Sequence, residues 1–180
     1  AASELGAWCE GDQLMLQLPA APPEAYARTW LRLAGQHNLQ NALAALLGDA
    51  ELARSFEGGD FATFYLSPRD YHRFHTPCDL RVLRATHIPG SLWPVNRAGL
   101  EGIPGLFAEN ERICASMRTG ADIGAGGRLC LVAVGATMVG KVKVAFDPEL
   151  VTNQARTTLN KDYEPPRHLD KGEQWGHFEF

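Results

Sequence analysis

No stretch of this chain approaches the roughly 18 apolar residues of a membrane-spanning helix, so none of it reads as a helical anchor. Basic residues are the minority: 17 Lys and Arg against 21 Asp and Glu leave a net charge of -4, which argues against a nucleic-acid-binding face. Cysteine is sparse. Cys9, Cys78, Cys114 and Cys130 form neither a CxxC pair nor a dense framework, and are expected to be thiols of a reducing compartment rather than disulfides or a structural zinc site. The amino end, AASELGAW, has no initiator Met and no signal-peptide core, so the true start of the protein is expected to lie elsewhere. The glycines of GADIGAGG are not spaced as GxGxxG and no helix pattern follows them; a hairpin loop is expected there rather than a phosphate cradle. Repeats and low-complexity segments are also missing.

What is present is an ordinary soluble balance, 45% hydrophobic and 21% charged over 180 residues, sized for a single domain spanning 1–180. The reading along the chain is α+β and predominantly β. Strand-like pieces are expected at 3–8 and 14–18, helices at 24–33 and 39–47, and a strand at 61–66. Gly48 closes the second helix, whose Leu39, Leu43, Leu46 and Leu47 form a core stripe. After Pro77, residues 79–88 alternate, with Leu80, Val82, Arg84, Thr86 and Ile88 on one face and Arg81, Leu83, Ala85 and His87 on the other. Strands follow at 113–117 and 129–134, the second buried on both sides, then at 138–146 and 175–180. The polar stretch 147–170 reads as a long functional or mobile loop. An antiparallel sandwich-like core with a few short helices accommodates this order.

The chemistry concentrates in YLSPRDYHRFHTPC, residues 65–78. Ser67 followed by Pro68, with Asp70 at the capping-box position, predicts a short helix that ends before Pro77. On such a helix His72 and His75, at i and i+3, share one face, and the positive helix N-terminus favours their neutral form. These imidazoles are the best candidates for proton chemistry. A metal site at His72, His75 and Cys78 is disfavoured because Pro77 interrupts the helix and HExxH is absent. His37 and His87 are expected to be structural or surface residues, while His168 and His177 carry no assignable role. Trp93, in PGSLWPVN, suits core packing or a lipid headgroup region.

FYLSPRDYHRFHTPCD, then HIPGSLWPVN, GLFAENER and VGATMVG, in this order and spacing, resemble the phosphatidylserine decarboxylase family. The match is dense over 61–146 and weaker in KGEQWGHFEF at the carboxyl end. The resemblance implies a proenzyme that cuts itself at a Gly-Ser bond into a β chain and an α chain, the latter beginning with a covalent pyruvoyl group. This chain resembles the β chain; the serine that becomes pyruvoyl is expected after Phe180 and its following Gly, and the orienting Asp of an Asp-Gly motif is expected just upstream of Ala1. By motif position His75 is the base of self-cleavage and His72 the proton donor of decarboxylation. No cofactor-binding or metal residue is expected in the chain itself.

The implied reaction converts phosphatidylserine to phosphatidylethanolamine and carbon dioxide through a Schiff base between the substrate amine and the pyruvoyl carbonyl. The implied partners are the α chain, the lipid, a membrane surface and a second copy of the protein, and the implied place is peripheral, on the cytoplasmic face of a bacterial inner membrane. The family's basic, amphipathic amino-terminal segment is not in these residues, and 18–35 is longer than the family pattern. Two other classes are to be separated from this one: a pyruvoyl decarboxylase of a soluble amino acid, and a non-catalytic metal-binding protein.

Overall fold

The computed structural model describes residues 6–10, 13–17, 24–27, 36–60, 62–66, 70–119 and 127–179. Two four-stranded antiparallel sheets lie face to face. One has the order β10 (Leu159–Leu169), β5 (Leu80–Ile88), β6 (Arg112–Thr119), β7 (Arg128–Val134). The other has β4 (Arg73–His75), β11 (Gln174–Glu179), β8 (Lys141–Val144), β9 (Asp147–Val151). Between them Leu80, Val82, Ile113, Met117, Val142, Val144, Leu150 and Trp175 form the main core, each of the aliphatic ones contributing about 1.5–3 kcal/mol by leaving water. This is the α+β, mainly antiparallel architecture expected from the alternating patterns.

Helix α1 (Gln36–Leu47) fits the leucine stripe and ends where Gly48, at φ 67°, takes the left-handed conformation and donates to Ala44 O. Helix α2 (Ala50–Arg54) follows at once, its first turn capped by Asp49, which accepts from the amides of Glu51 and Leu52. The two helices cover the outer face of the first sheet, packing Leu43, Leu47, Ala53 and Phe56 against Cys114, Cys130, Val132 and Ile88. Strand β7 therefore has apolar contacts on both faces, but of its residues only Ala133 is fully buried, the rest being half-buried or exposed, short of the complete burial its apolar run predicted.

The register of β5 departs from simple alternation. A bulge between Val82 and Arg84 leaves Leu83 as an extra residue, so the inward set changes from even to odd numbers: Leu80 and Val82, then Ala85 and His87. Several other expectations are corrected. Residues 24–27 form strand β3 (Glu24–Ala27), not a helix, because they pair with β2 (Gln13–Gln17), itself paired with β1 (Gly6–Glu10). Residues 62–66 make no strand, and Phe64 and Tyr65 are exposed. The stretch 147–170 is mostly ordered as β9 and β10 rather than loop. Short helices α3 (Arg97–Gly102) and α4 (Leu106–Glu109) fill the stretch between β5 and β6, where the sequence pattern assigns no element. The proposed Ser67 cap, the opening of 3–8, and most of the 120–127 loop lie outside the described residues.

Candidate active site

The helix expected at His72 and His75 is not formed. Arg73–His75 is instead the edge strand β4, which pairs antiparallel with β11: His75 lies opposite Gln174, Phe74 opposite Gly176, and Arg73 opposite His177. Pairing with a strand a hundred residues away outweighs the local Ser-Pro-x-Asp signal. The two rings consequently do not share a face. Phe74 turns into the core against Trp175, at 4.4 Å between ring centroids, so Arg73 and His75 turn outward. His72, just before the strand, sets its ring edge-on to Phe178 at 6.3 Å, and its carbonyl accepts from the Phe178 amide. The helix-dipole argument for neutral imidazoles falls with the helix.

Backbone carbonyls take over the job of fixing both rings. His72 Nδ1 lies 2.7 Å from Asp70 O, and His75 Nδ1 lies 2.8 Å from Gly172 O. A carbonyl only accepts, so both rings carry the proton on Nδ1, which makes Nε2 the accepting nitrogen of the neutral ring. Gly172 belongs to a turn, 170–173, that is fastened to the residue after His75. Thr76, buried, donates its amide to Glu173 O and its hydroxyl to Asp170 O, while its own carbonyl accepts from the Gly172 amide. Gly172 stands at φ 80°, a conformation natural to glycine.

A polar chain crosses the outward face of β4, β11 and β8. Arg73 donates to Gln174 Oε1, Gln174 donates to His177 Nδ1, and His177 Nε2 donates to Glu179. Lys143 and Lys141 reach the same carboxylate at 2.8 and 3.1 Å. Together Lys143, His177 and Lys141 hold the Glu179 carboxyl down to about 2. His177 thus has a structural role that its sequence position did not disclose.

The remaining motifs of the sequence meet around one buried side chain. Asn110, fully buried, accepts from the Trp93 amide and donates to Trp93 O and Gly135 O, tying the AENER, SLWPVN and VGATM segments together. His87 is buried at 1% exposure and bonds Glu111 at 2.6 Å; the same Glu111 oxygen accepts from the Asn153 amide. This bears out the structural reading of His87, and Trp93 remains half-exposed. His37 falls in the first turn of α1, and His168 pairs with Asp170 on the surface.

Cys78, Cys114 and Cys130 are free thiols, and burial pushes Cys114 up to about 12 and Cys130 higher still. Among the described residues no group of His, Cys, Asp and Glu is arranged to hold a metal ion, and no helix is long and apolar enough to cross a membrane.

The family model for phosphatidylserine decarboxylase matches residues 31–180, from before α1 to the last residue. The chain belongs to the phosphatidylserine decarboxylase family. It is 43% identical over 150 residues to the phosphatidylserine decarboxylase proenzyme of Anaeromyxobacter sp. (strain K), covering 82% of this chain and 51% of that protein. The proenzyme of Acidovorax ebreus (strain TPSY) is 44% identical over 137 residues, covering 76% and 44%, and that of Methylibium petroleiphilum is 43% identical over 147 residues, covering 80% and 49%. The chain thus spans about half the length of the relatives it matches. Relative to the phosphatidylserine decarboxylase motifs, the structure brings YHRFH and KGEQWGHFEF together as one strand pair, and joins the other three motifs through Asn110.

Proposed function

We propose that this chain is the β-chain part of a self-cleaving, pyruvoyl-dependent decarboxylase that converts phosphatidylserine to phosphatidylethanolamine and carbon dioxide while resting on a membrane surface. The observation that carries the reading is the pairing of β4 with β11. It sets His72 against Phe178 and fixes His75 on Gly172, within a chain whose relatives are named phosphatidylserine decarboxylase proenzymes.

In this reading His75 Nε2 accepts the proton of the serine hydroxyl whose attack on the preceding carbonyl cuts the precursor. The Nδ1 bond to Gly172 leaves that nitrogen in the accepting form. The pyruvoyl group so produced at the start of the α chain supplies the electron sink for loss of carbon dioxide. The residues of this chain fit it in one respect: His72, with its Nδ1–H committed to Asp70 O, takes up a second proton at Nε2 and, as the imidazolium, hands it on beside the last residues of β11. The family's upstream Asp and downstream Ser are supplied by sequence outside these residues.

The strand register favours a second assignment of the roles. His72 bonds Phe178, whereas His75 stands opposite Gln174, so a chain continuing straight past Phe180 would move away from His75 by about 3.3 Å per residue. With His75 as the base, the segment beyond Phe180 must fold back toward the 170–173 turn. With His72 as the base a return is still needed, but a shorter one, because Phe178 lies beside His72.

Variants of the full-length precursor followed by intact mass separate these assignments. The primary reading expects His75→Ala to stay uncut, and His72→Ala to be cut but to turn over little substrate. The reverse pattern transfers the base role to His72, and normal cutting in both removes the histidines from processing. A precursor that never splits into two chains, one of them blocked at its amino end and reducible by borohydride in the presence of amine, refutes the pyruvoyl reading. Vesicles of phosphatidylserine compared with free serine and aromatic amino acids decide the substrate.

A further inference from the structure

His75 is held at both ring nitrogens. Opposite Gly172, its Nε2 lies 3.1 Å from the hydroxyl of Tyr71, and the two rings stack with centroids 5.8 Å apart and planes inclined by 15°. Because Gly172 O takes the Nδ1 proton, Nε2 of the neutral ring is an acceptor and the Tyr71 hydroxyl is its donor. Free histidine prefers the other tautomer, so the form that the Gly172 carbonyl requires is imposed by the surroundings of the ring.

We propose that Tyr71 is a positioning residue for His75. Its hydroxyl stands where the proton to be abstracted will stand, keeps the Nε2 lone pair aimed at the outer face, and with Gly172 locks the Nδ1–H tautomer until the nucleophile takes the hydroxyl's place. The consequence for self-cleavage rests on the base role given to His75 above; the tautomer lock itself does not. Three features support it. The Gly172 carbonyl is rigidly placed, since Thr76 binds both Asp170 and Glu173 and the Lys171 amide binds Asp79. Tyr71 is 61% exposed, so packing alone does not dictate where its hydroxyl goes. Its ring rests on His75 itself, so the hydroxyl can leave Nε2 without opening the core.

Tyr71→Phe keeps the stack and deletes only the donor. In the precursor it is expected to slow self-cleavage about three- to tenfold, the size of one lost hydrogen bond in a rate, with the thermal midpoint unchanged. In the ¹⁵N-histidine-labelled mature protein at neutral pH, His75 is expected to show protonated Nδ1 and unprotonated Nε2, and Tyr71→Phe to show a mixture of tautomers. A wild-type His75 protonated at Nε2 overturns the proposal. So does a Tyr71→Phe variant with both rate and tautomer unchanged. If His75→Ala cuts normally while the tautomer result holds, the base assignment fails and the lock stands. If His75→Ala is uncut while Tyr71→Phe changes neither measure, the lock fails and the base assignment stands.

Discussion

Arg112 offers the sharpest test of what holds the helices to the sheet. Its guanidinium is buried at 3% exposure and donates to four carbonyls: Nε to Leu46 O at 2.6 Å, Nη2 to Ala45 O at 2.8 Å, and Nη1 to Ala108 O and Asn110 O at 2.6 and 2.8 Å. Ala45 and Leu46 lie in the last turn of α1, and Ala108 in the last turn of α4, where carbonyls have no donor within the helix. One side chain therefore caps two helices and binds both to β6. Burial lowers the guanidinium's affinity for its proton, yet it remains charged at any ordinary pH.

Arg112→Met keeps most of the stem volume and removes every donor. Each stranded buried acceptor costs about 1–3 kcal/mol. If two of the four carbonyls find water, the other two cost about 2–6 kcal/mol, and relief from burying a cation returns part of that. A net loss of about 2–4 kcal/mol follows, or a fall of about 5–15 °C in the thermal midpoint at this size. Arg112→Lys should fall between, because one ammonium cannot span both helix ends. Urea unfolding of the full-length protein followed by circular dichroism measures the loss, and amide exchange in α1 localises it. An Arg112→Met protein within about 0.5 kcal/mol of wild type, with α1 amides still protected, refutes the capping account.

Other outcomes are equally specific. Asn110→Ala strands the Trp93 amide, Trp93 O and Gly135 O and is expected to cost about 2–4 kcal/mol in urea unfolding. Asn110→Asp should also lose stability, since a carboxylate cannot donate to the two carbonyls. Glu179 has its carboxyl held at about 2 in the folded chain, so its contribution is intact above the ordinary value of 4.5 and is lost as pH falls from there toward 2. Stability curves of wild type and Glu179→Gln should therefore converge across that window, and parallel curves would contradict the account in which the two lysines and the His177 hydrogen bond hold the carboxyl down. The paired histidine variants described above are expected to split processing from turnover.

The strands that pack by simple periodicity were readable in advance: β6, β7 and β11, together with α1, follow apolar patterns that need no knowledge of their neighbours. The failures share a physical cause. A Ser-Pro-x-Asp run looks the same whether a helix follows or not, and only β11 makes residues 73–75 a strand. Residues 24–27 have helical composition and are strand because of β2. Strand β10 carries mostly exposed polar side chains with two prolines, so its apolar signal is confined to Tyr163 and Leu169. At the site, the motif pointed to His72 and His75 but not to their opposed faces. Gly172 was invisible because its contact with His75 spans 97 positions, and Tyr71 drew no attention although it lies inside the motif.

The extra residue at Leu83 ties the phase of one strand to two otherwise unconnected assemblies. Residues before it and after it project inward on opposite parities, so removing Leu83 itself keeps Ala85 and His87 inward, whereas a strand that kept Leu83 and lost the bulge would turn Ile88 toward the sandwich and His87 toward the helices. Glu111 would lose its imidazole and α1 its aliphatic floor in the same event. An in-frame deletion of Leu83 should thus cost less than deletion of a single residue between Arg84 and His87, which inverts the rest of the strand.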